Sequence, residues 1–284
     1  MNRWERRIKR KLKSIANKYA LLSRDPDQQH ESIHRARRLT KQLRAMVALL
    51  PTRFQRSVRK TLRHQREIAR QLGLRRDESL FRQNLRLIAA DRETPSTIDE
   101  NAVTKFGLET QPFDIHPLLN QLVANVAIIQ QSLQDYDHPI KRQHVAGQWR
   151  RACKLFLKRT DQLLLDHSLE RWHALRKSVR QLEYQMRFLR RHSHHAASPL
   201  ADLISDIGKR LGRLNDYAKM KEAMIEQKSP MGHFIKFDEA HRKQWLTEIE
   251  RGCNQEMKVA LPLIQEAVPL FQNLIALKSR ELIE

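Results

Sequence analysis

Apolar residues recur at three- and four-residue spacing along most of the chain, the period of an amphipathic helix. Trp4, Ile8, Leu12, Ile15, Tyr19 and Leu22 form one such stripe and predict a core-facing helix over Arg3–Leu22. A second pattern runs from about Gln28 to Leu50 and stops at Pro51. A third runs from about Arg53 to Leu72, with Gly73 as its predicted C-cap. A fourth starts at Asp77, a predicted N-cap, and reaches about Ala90. Helix resumes over Leu118–Tyr136, Ile140–Leu165, Ser168–Arg191, Leu200–Leu211 and Asp216–Glu226, with a break predicted at Gly212. Two final helices fill Asp238–Glu284, with a break or kink at Pro262. Asp137-His138-Pro139, His192–Pro199 and Gln227–Phe237 read as connectors. No stretch alternates with period two, so the predicted fold class is all-α, without a sheet.

The segment from Asp91 to Pro117 differs in character. It holds Pro95, Pro112 and Pro117 among the acids Asp91, Glu93, Asp99, Glu100, Glu109 and Asp114, and reads as a long surface loop.

Composition narrows the class of partner. The 284 residues include 54 Lys+Arg and 32 Asp+Glu, a formal net charge of +22. So large an excess repels itself in a compact fold unless a counter-charge is present, which points to an anionic partner. Only 6% of residues are aromatic and 7 are glycine, which argues against a β-sandwich or a glycine-rich nucleotide fold. No run of 18 apolar residues occurs, so no membrane span is expected. The basic N-terminus lacks a continuous apolar stretch and a small-residue cleavage site. A mitochondrial presequence is the rival reading of it, but the apolar spacing fits a core-facing helix better. Cys153 and Cys253 offer neither a disulfide framework nor a metal quartet, and the expected location is the reducing cytoplasm.

An internal repeat carries the charge. His34-Arg35-Ala36-Arg37-Arg38-Leu39-Thr40-Lys41-Gln42-Leu43-Arg44 aligns with the segment beginning His173-Ala174-Leu175-Arg176-Lys177-Ser178-Val179-Arg180 at an offset of 139 residues. Basic residues coincide at +3, +4 and +7 from each histidine, and leucine at +9. The same offset places Leu72-Gly73 on Leu211-Gly212, Asp77 on Asp216 and Arg70 on Lys209. At about 100° per helical residue, His34, Arg37, Arg38, Lys41 and Arg44 share one face about 120° wide. His173, Arg176, Lys177 and Arg180 do likewise, extended by Arg187, while Leu39 and Leu43 lie toward the core. A merely solvated face interleaves acids for i,i+4 pairing, yet none occurs from Ser32 to Pro51.

These residues resemble the CHAD family, the conserved histidine α-helical domain. The resemblance rests on His34-x-x-Arg37-Arg38-x-x-Lys41-x-x-Arg44, on His173-x-x-Arg176-Lys177-x-x-Arg180-x-x-x-Tyr184, and on the two glycine–aspartate segments. It spans about Arg10 to Glu284. It implies two antiparallel four-helix bundles related by a pseudo-twofold axis, residues 1–138 and 139–284, forming one domain around a basic cleft. It implies that the cleft holds inorganic polyphosphate without catalysis, with polyphosphate granules as an associated site. Glu183 departs from the pattern, standing where an arginine is common, with Arg187 as its substitute.

Residue chemistry agrees with such a ligand. Polyphosphate offers charge and acceptors but no bases. Arginine forks grip phosphate oxygens, lysine supplies a movable charge, and histidine adds a donor. Few aromatics means few platforms for stacked bases. Nucleic acid is the alternative partner, bound through the same phosphate chemistry. The third helix adds Arg56, Arg59, Lys60, Arg63, Arg66 and Arg70, of which Arg63, Arg66 and Arg70 are expected at the cleft. Lys209, Arg210 and Arg213 are their second-half counterparts.

Metal chemistry is not expected, and no cofactor is assigned. His30-Glu31-Ser32-Ile33-His34 matches the zinc-protease motif H-E-x-x-H, but Arg35, Arg37 and Arg38 crowd a dication. His192, His194 and His195 read as a polar loop. No P-loop, dinucleotide fingerprint or nucleophile elbow occurs, so the protein is not expected to be an enzyme.

Overall fold

A computed structural model of the chain describes residues 3–22, 29–90, 114–190, 199–227 and 239–282. Ten helices and no strand are present among them. They are α1 Arg3–Leu22, α2 Gln29–Val47, α3 Thr52–Ser57, α4 Arg59–Ala90, α5 His116–Gln134, α6 Arg142–Leu165, α7 Leu169–Leu189, α8 Pro199–Glu226, α9 Glu239–Ala276 and α10 Ser279–Leu282. Most of the loop predicted over 91–117, residues 192–198 of the predicted connector with its three histidines, and most of Gln227–Phe237 lie outside the described residues.

Each long helix buries the stripe its periodicity marks. All six predicted α1 positions, Trp4 to Leu22, are buried, as are Leu39 and Leu43 on α2. α1 packs on α2 and α5, and α4 packs on the same two helices. α6 packs on α7 and α9, and α8 packs on the same two. The two sets meet through α2 and α7. Gln185 of α7 donates to the Ala45 carbonyl of α2 at 3.2 Å, and Arg7 of α1 reaches the Phe188 carbonyl. A buried polar chain fixes the register of α1, α2 and α4. Gln65 donates to the Tyr19 hydroxyl at 3.2 Å, which lies 2.8 Å from the Thr40 hydroxyl, and Thr40 donates to Ala36 O at 3.1 Å.

Several predicted helix breaks are absent. α4 runs unbroken through Gly73 and Asp77, and α8 through Gly212. The glycines answer to neighbours. A Cβ on Gly73 would lie 2.9 Å from Arg37 Cζ, and one on Gly212 would lie 3.2 Å from Arg180 Nη2. Asp77 caps nothing; it pairs with Arg37 at 3.6 Å and with Lys219 of α8. The left-handed residue that follows α8 is Gln227, at φ 52°. The predicted Arg53–Leu72 helix is divided at Val58 into α3 and α4.

Pro262 does not break the final helix either, and nor does Pro269. Both are exposed, as are Lys258 and Gln265, whose carbonyls lose their helical donors and stay open to water. The opposite face of α9 is buried through Trp245, Ile249, Cys253, Ala260, Ile264, Ala267, Phe271 and Leu274. Within Arg242–Ala276 this helix carries an 18-residue window of mean hydropathy 1.3, long and apolar enough to cross a membrane by composition. A single such helix is weak evidence for a span, because the core helix of a soluble protein passes the same test.

Candidate functional site

The contact of α2 with α7 brings the two basic stripes face to face, with α8 closing the third side. A cavity of about 300 Å³ lies between them. α2 lines it with His34, Arg37, Arg38 and Lys41, and α7 with Arg176, Arg180, Glu183, Tyr184 and Arg187. α8 adds Ser205, Lys209, Gly212 and Asp216. Seven lysine and arginine side chains thus face two carboxylates, leaving an excess of five positive charges with histidine neutral.

Arg37 is held from below. It donates to the Gly73 carbonyl at 2.9 Å and pairs with Asp77, which also binds Lys219 and so ties α4 to α8. Arg180 donates to Glu183 Oε2 at 2.8 Å, and Arg187 to Oε1 at 2.5 Å. Burial, then the charge of Glu183, pushes the Tyr184 phenol up, while Arg180, Arg38 and Arg187 oppose it.

The remaining predicted residues do not line the cavity. His173 and Lys177 flank the α7 stripe. His173 Nδ1 lies 3.1 Å from Asn215 Oδ1, which also accepts from Arg176 at 3.3 Å. Burial, then Lys177, holds the His173 imidazole below its ordinary 6.5. Arg44 lies one turn past Lys41 and is exposed. Desolvation of its head group, then the charge of Arg66, lowers its pKa. Arg63, Arg66 and Arg70 are exposed because α4 turns the opposite face, Gln65, Ile68 and Leu72, into the core. Arg70 pairs with Glu67 at 2.8 Å. Arg210 and Arg213 turn toward α9, where Glu256 takes them at 3.5 and 2.5 Å.

Ser205 went unmarked in the sequence, and Asp216 entered only as the repeat counterpart of Asp77, a predicted cap. The signal was there. Positions 205, 209, 212 and 216 share one helical face once α8 runs through Gly212.

A family model described as CHAD domain matches residues 6–224. The chain belongs to the CHAD domain family. The match starts before the Arg10 expected from the motifs and ends at Met224, so α9, which completes the second helix set, lies beyond it. No curated protein and no solved structure matches the chain. In this CHAD domain both histidine-led segments lie on the two helices that meet; Gly73 and Asp77 back Arg37, and Gly212 and Asp216 line the cavity from α8.

Among the described residues no group of three or more His, Cys, Asp or Glu side chains gathers where a metal could sit. In the H-E-x-x-H segment the His30 side chain lies outside the described detail, Glu31 pairs with Arg35, and His34 lines the cationic cavity.

Proposed function

We propose that this CHAD domain binds inorganic polyphosphate, without catalysis, in the cleft between α2, α7 and α8. The observation that carries the reading is the convergence of two duplicated basic stripes on one cavity with an excess of five positive charges. Arginine forks and lysine ammoniums suit a chain of phosphates. Among the described lining residues Tyr184 is the one Phe, Tyr or Trp, which leaves little stacking surface for bases. In the same reading, residues 1–138 and 139–284 are antiparallel four-helix bundles related by a pseudo-twofold axis. The closed contact sets α1–α2–α4–α5 and α6–α7–α8–α9 support this. The expected setting is the cytoplasm, on polyphosphate granules.

Competition at fixed salt tests the ligand. Labelled polyphosphate bound to the protein is challenged with unlabelled polyphosphate, duplex DNA and tRNA at equal phosphate concentration. Polyphosphate is expected to displace the label at the lowest concentration. Equal displacement by DNA or tRNA would replace this reading with a nucleic-acid-binding one.

A further inference from the structure

Glu183 lies inside the cationic cleft with only 6% of its side chain exposed. Its neighbours three residues before and four after on α7 occupy both its oxygens, Arg180 on Oε2 and Arg187 on Oε1. Arg180 is further confined against α8. A Cβ on Gly208 or Gly212 would meet its terminal nitrogens at 3.3 and 3.2 Å. Arg180 and Arg187 therefore already share an anion inside the cleft, whereas Arg37 and Lys209 pair with Asp77 at 3.6 Å and Asp206 at 2.7 Å, carboxylates outside the lining. Arg38, by contrast, has no carboxylate partner among the described residues.

We propose that Glu183 is a built-in competitor for the anion site and sets a preference for long phosphate chains over short ones. This rests on the polyphosphate reading of the cleft. A carboxylate and a phosphate present similar oxygen acceptors to an arginine fork. A single phosphate that displaces Glu183 from Arg180 and Arg187 exchanges one anion for another. It also leaves a nearly buried carboxylate beside it, where like charges repel. A long chain meets the same obstacle once, but engages Arg37, Arg38, Lys41, Arg176 and Lys209 in the same event. Linked contacts add through effective concentration, so the obstacle is overcome only by a ligand that spans the cleft. Selectivity of this kind comes from a repulsive element as well as from attractive ones.

The experiment measures binding of orthophosphate, tripolyphosphate and long-chain polyphosphate by calorimetry to the full chain and to Glu183→Gln. Glutamine keeps the volume and one acceptor and removes the charge. Affinity for orthophosphate and tripolyphosphate is expected to rise on the order of tenfold or more, and that for the long chain by less, so the ratio between them narrows. The slope of log K against log salt for the long chain is expected to steepen by about one, because freed arginines exchange counterions. Unchanged affinities, or an equal loss at every chain length, would overturn the proposal, the latter making Glu183 a positioning residue for the two arginines. Arg187→Gln and Arg38→Gln provide a second arm that holds even where Glu183→Gln fails to fold. Arg187 is already neutralised, so its loss is expected to weaken long-chain binding less than loss of Arg38. Equal losses would contradict a competitor. A wild-type protein that binds no phosphate chain of any length would instead remove the polyphosphate reading itself, and this inference with it.

Discussion

At the residue scale, Gly73 and Gly252 both stand where a methyl group would collide, with opposite consequences. A Cβ on Gly73 would press on the guanidinium of Arg37, the far end of a flexible side chain. Alanine there removes the Arg37 bond to the Gly73 carbonyl, a loss of about 1 kcal/mol. It also gains about 0.5–1 kcal/mol of helix propensity. A Cβ on Gly252 would lie 2.6 Å from Cζ and 2.7 Å from Cε1 of the Tyr217 ring, so the whole ring, packed between α8 and α9, must shift. Overpacking of that kind costs about 1–3 kcal/mol. Urea melts are therefore expected to leave Gly73→Ala near the wild type and shift Gly252→Ala to lower denaturant. Binding of phosphate chains is expected to weaken in Gly73→Ala. The reverse order of stabilities would contradict the packing described.

His173 makes a separate prediction at this scale. Its folded pKa is depressed below 6.5 by burial and then by Lys177. Between that depressed value and the unfolded one, the unfolded chain binds more protons, so stability rises with pH across the interval. The contribution is full above about 6.5 and is lost as the pH falls through the folded value. A phosphate chain beside Arg176 offsets the charge of Lys177 and raises the midpoint. Titration followed by NMR is expected to show both effects. A midpoint at or above 6.5 in the free protein would contradict the first.

At the element scale, α9 carries two prolines without breaking, and Pro262→Ala restores a donor to the Lys258 carbonyl. The substitution is expected to raise stability by up to about 3 kcal/mol, read from chemical denaturation. A fall in stability would show that the ring itself is part of the α9 packing. The stripes of α1 and of Leu39 and Leu43 were legible in the sequence because periodicity reports a buried face directly. Gly73 and Gly212 were not. A glycine that ends a helix and one that admits a side chain from another helix look alike in one dimension, and Arg37 stands 36 positions before Gly73. Misreading Gly212 also hid that Ser205 and Asp216 share a face with Lys209. Arg63, Arg66 and Arg70 were placed at the cleft by charge alone, whereas the buried face of α4 turned them outward. Arg210 and Arg213 went to Glu256, a partner on a helix whose contacts no local pattern announces.

At the scale of the whole molecule, a net charge of +22 attracts any polyanion, so attraction alone does not identify a site. What distinguishes a site is position. Arg38, Lys41 and Arg176 come from both stripes and line one cavity, whereas Arg6, Arg10 and Lys13 sit on α1 outside it, all three exposed. The decisive measurement compares polyphosphate affinity, at one salt concentration, of two triple alanine variants that each remove three positive charges. Charge-assisted contacts contribute roughly 1.5–3 kcal/mol each, so loss of Arg38, Lys41 and Arg176 is expected to weaken binding at least about a hundredfold. Loss of Arg6, Arg10 and Lys13 is expected to cost only a few-fold, with helix content unchanged in both. Equal, small losses from the two variants would contradict the account, because the field of the whole protein, and not the cleft, would then hold the ligand.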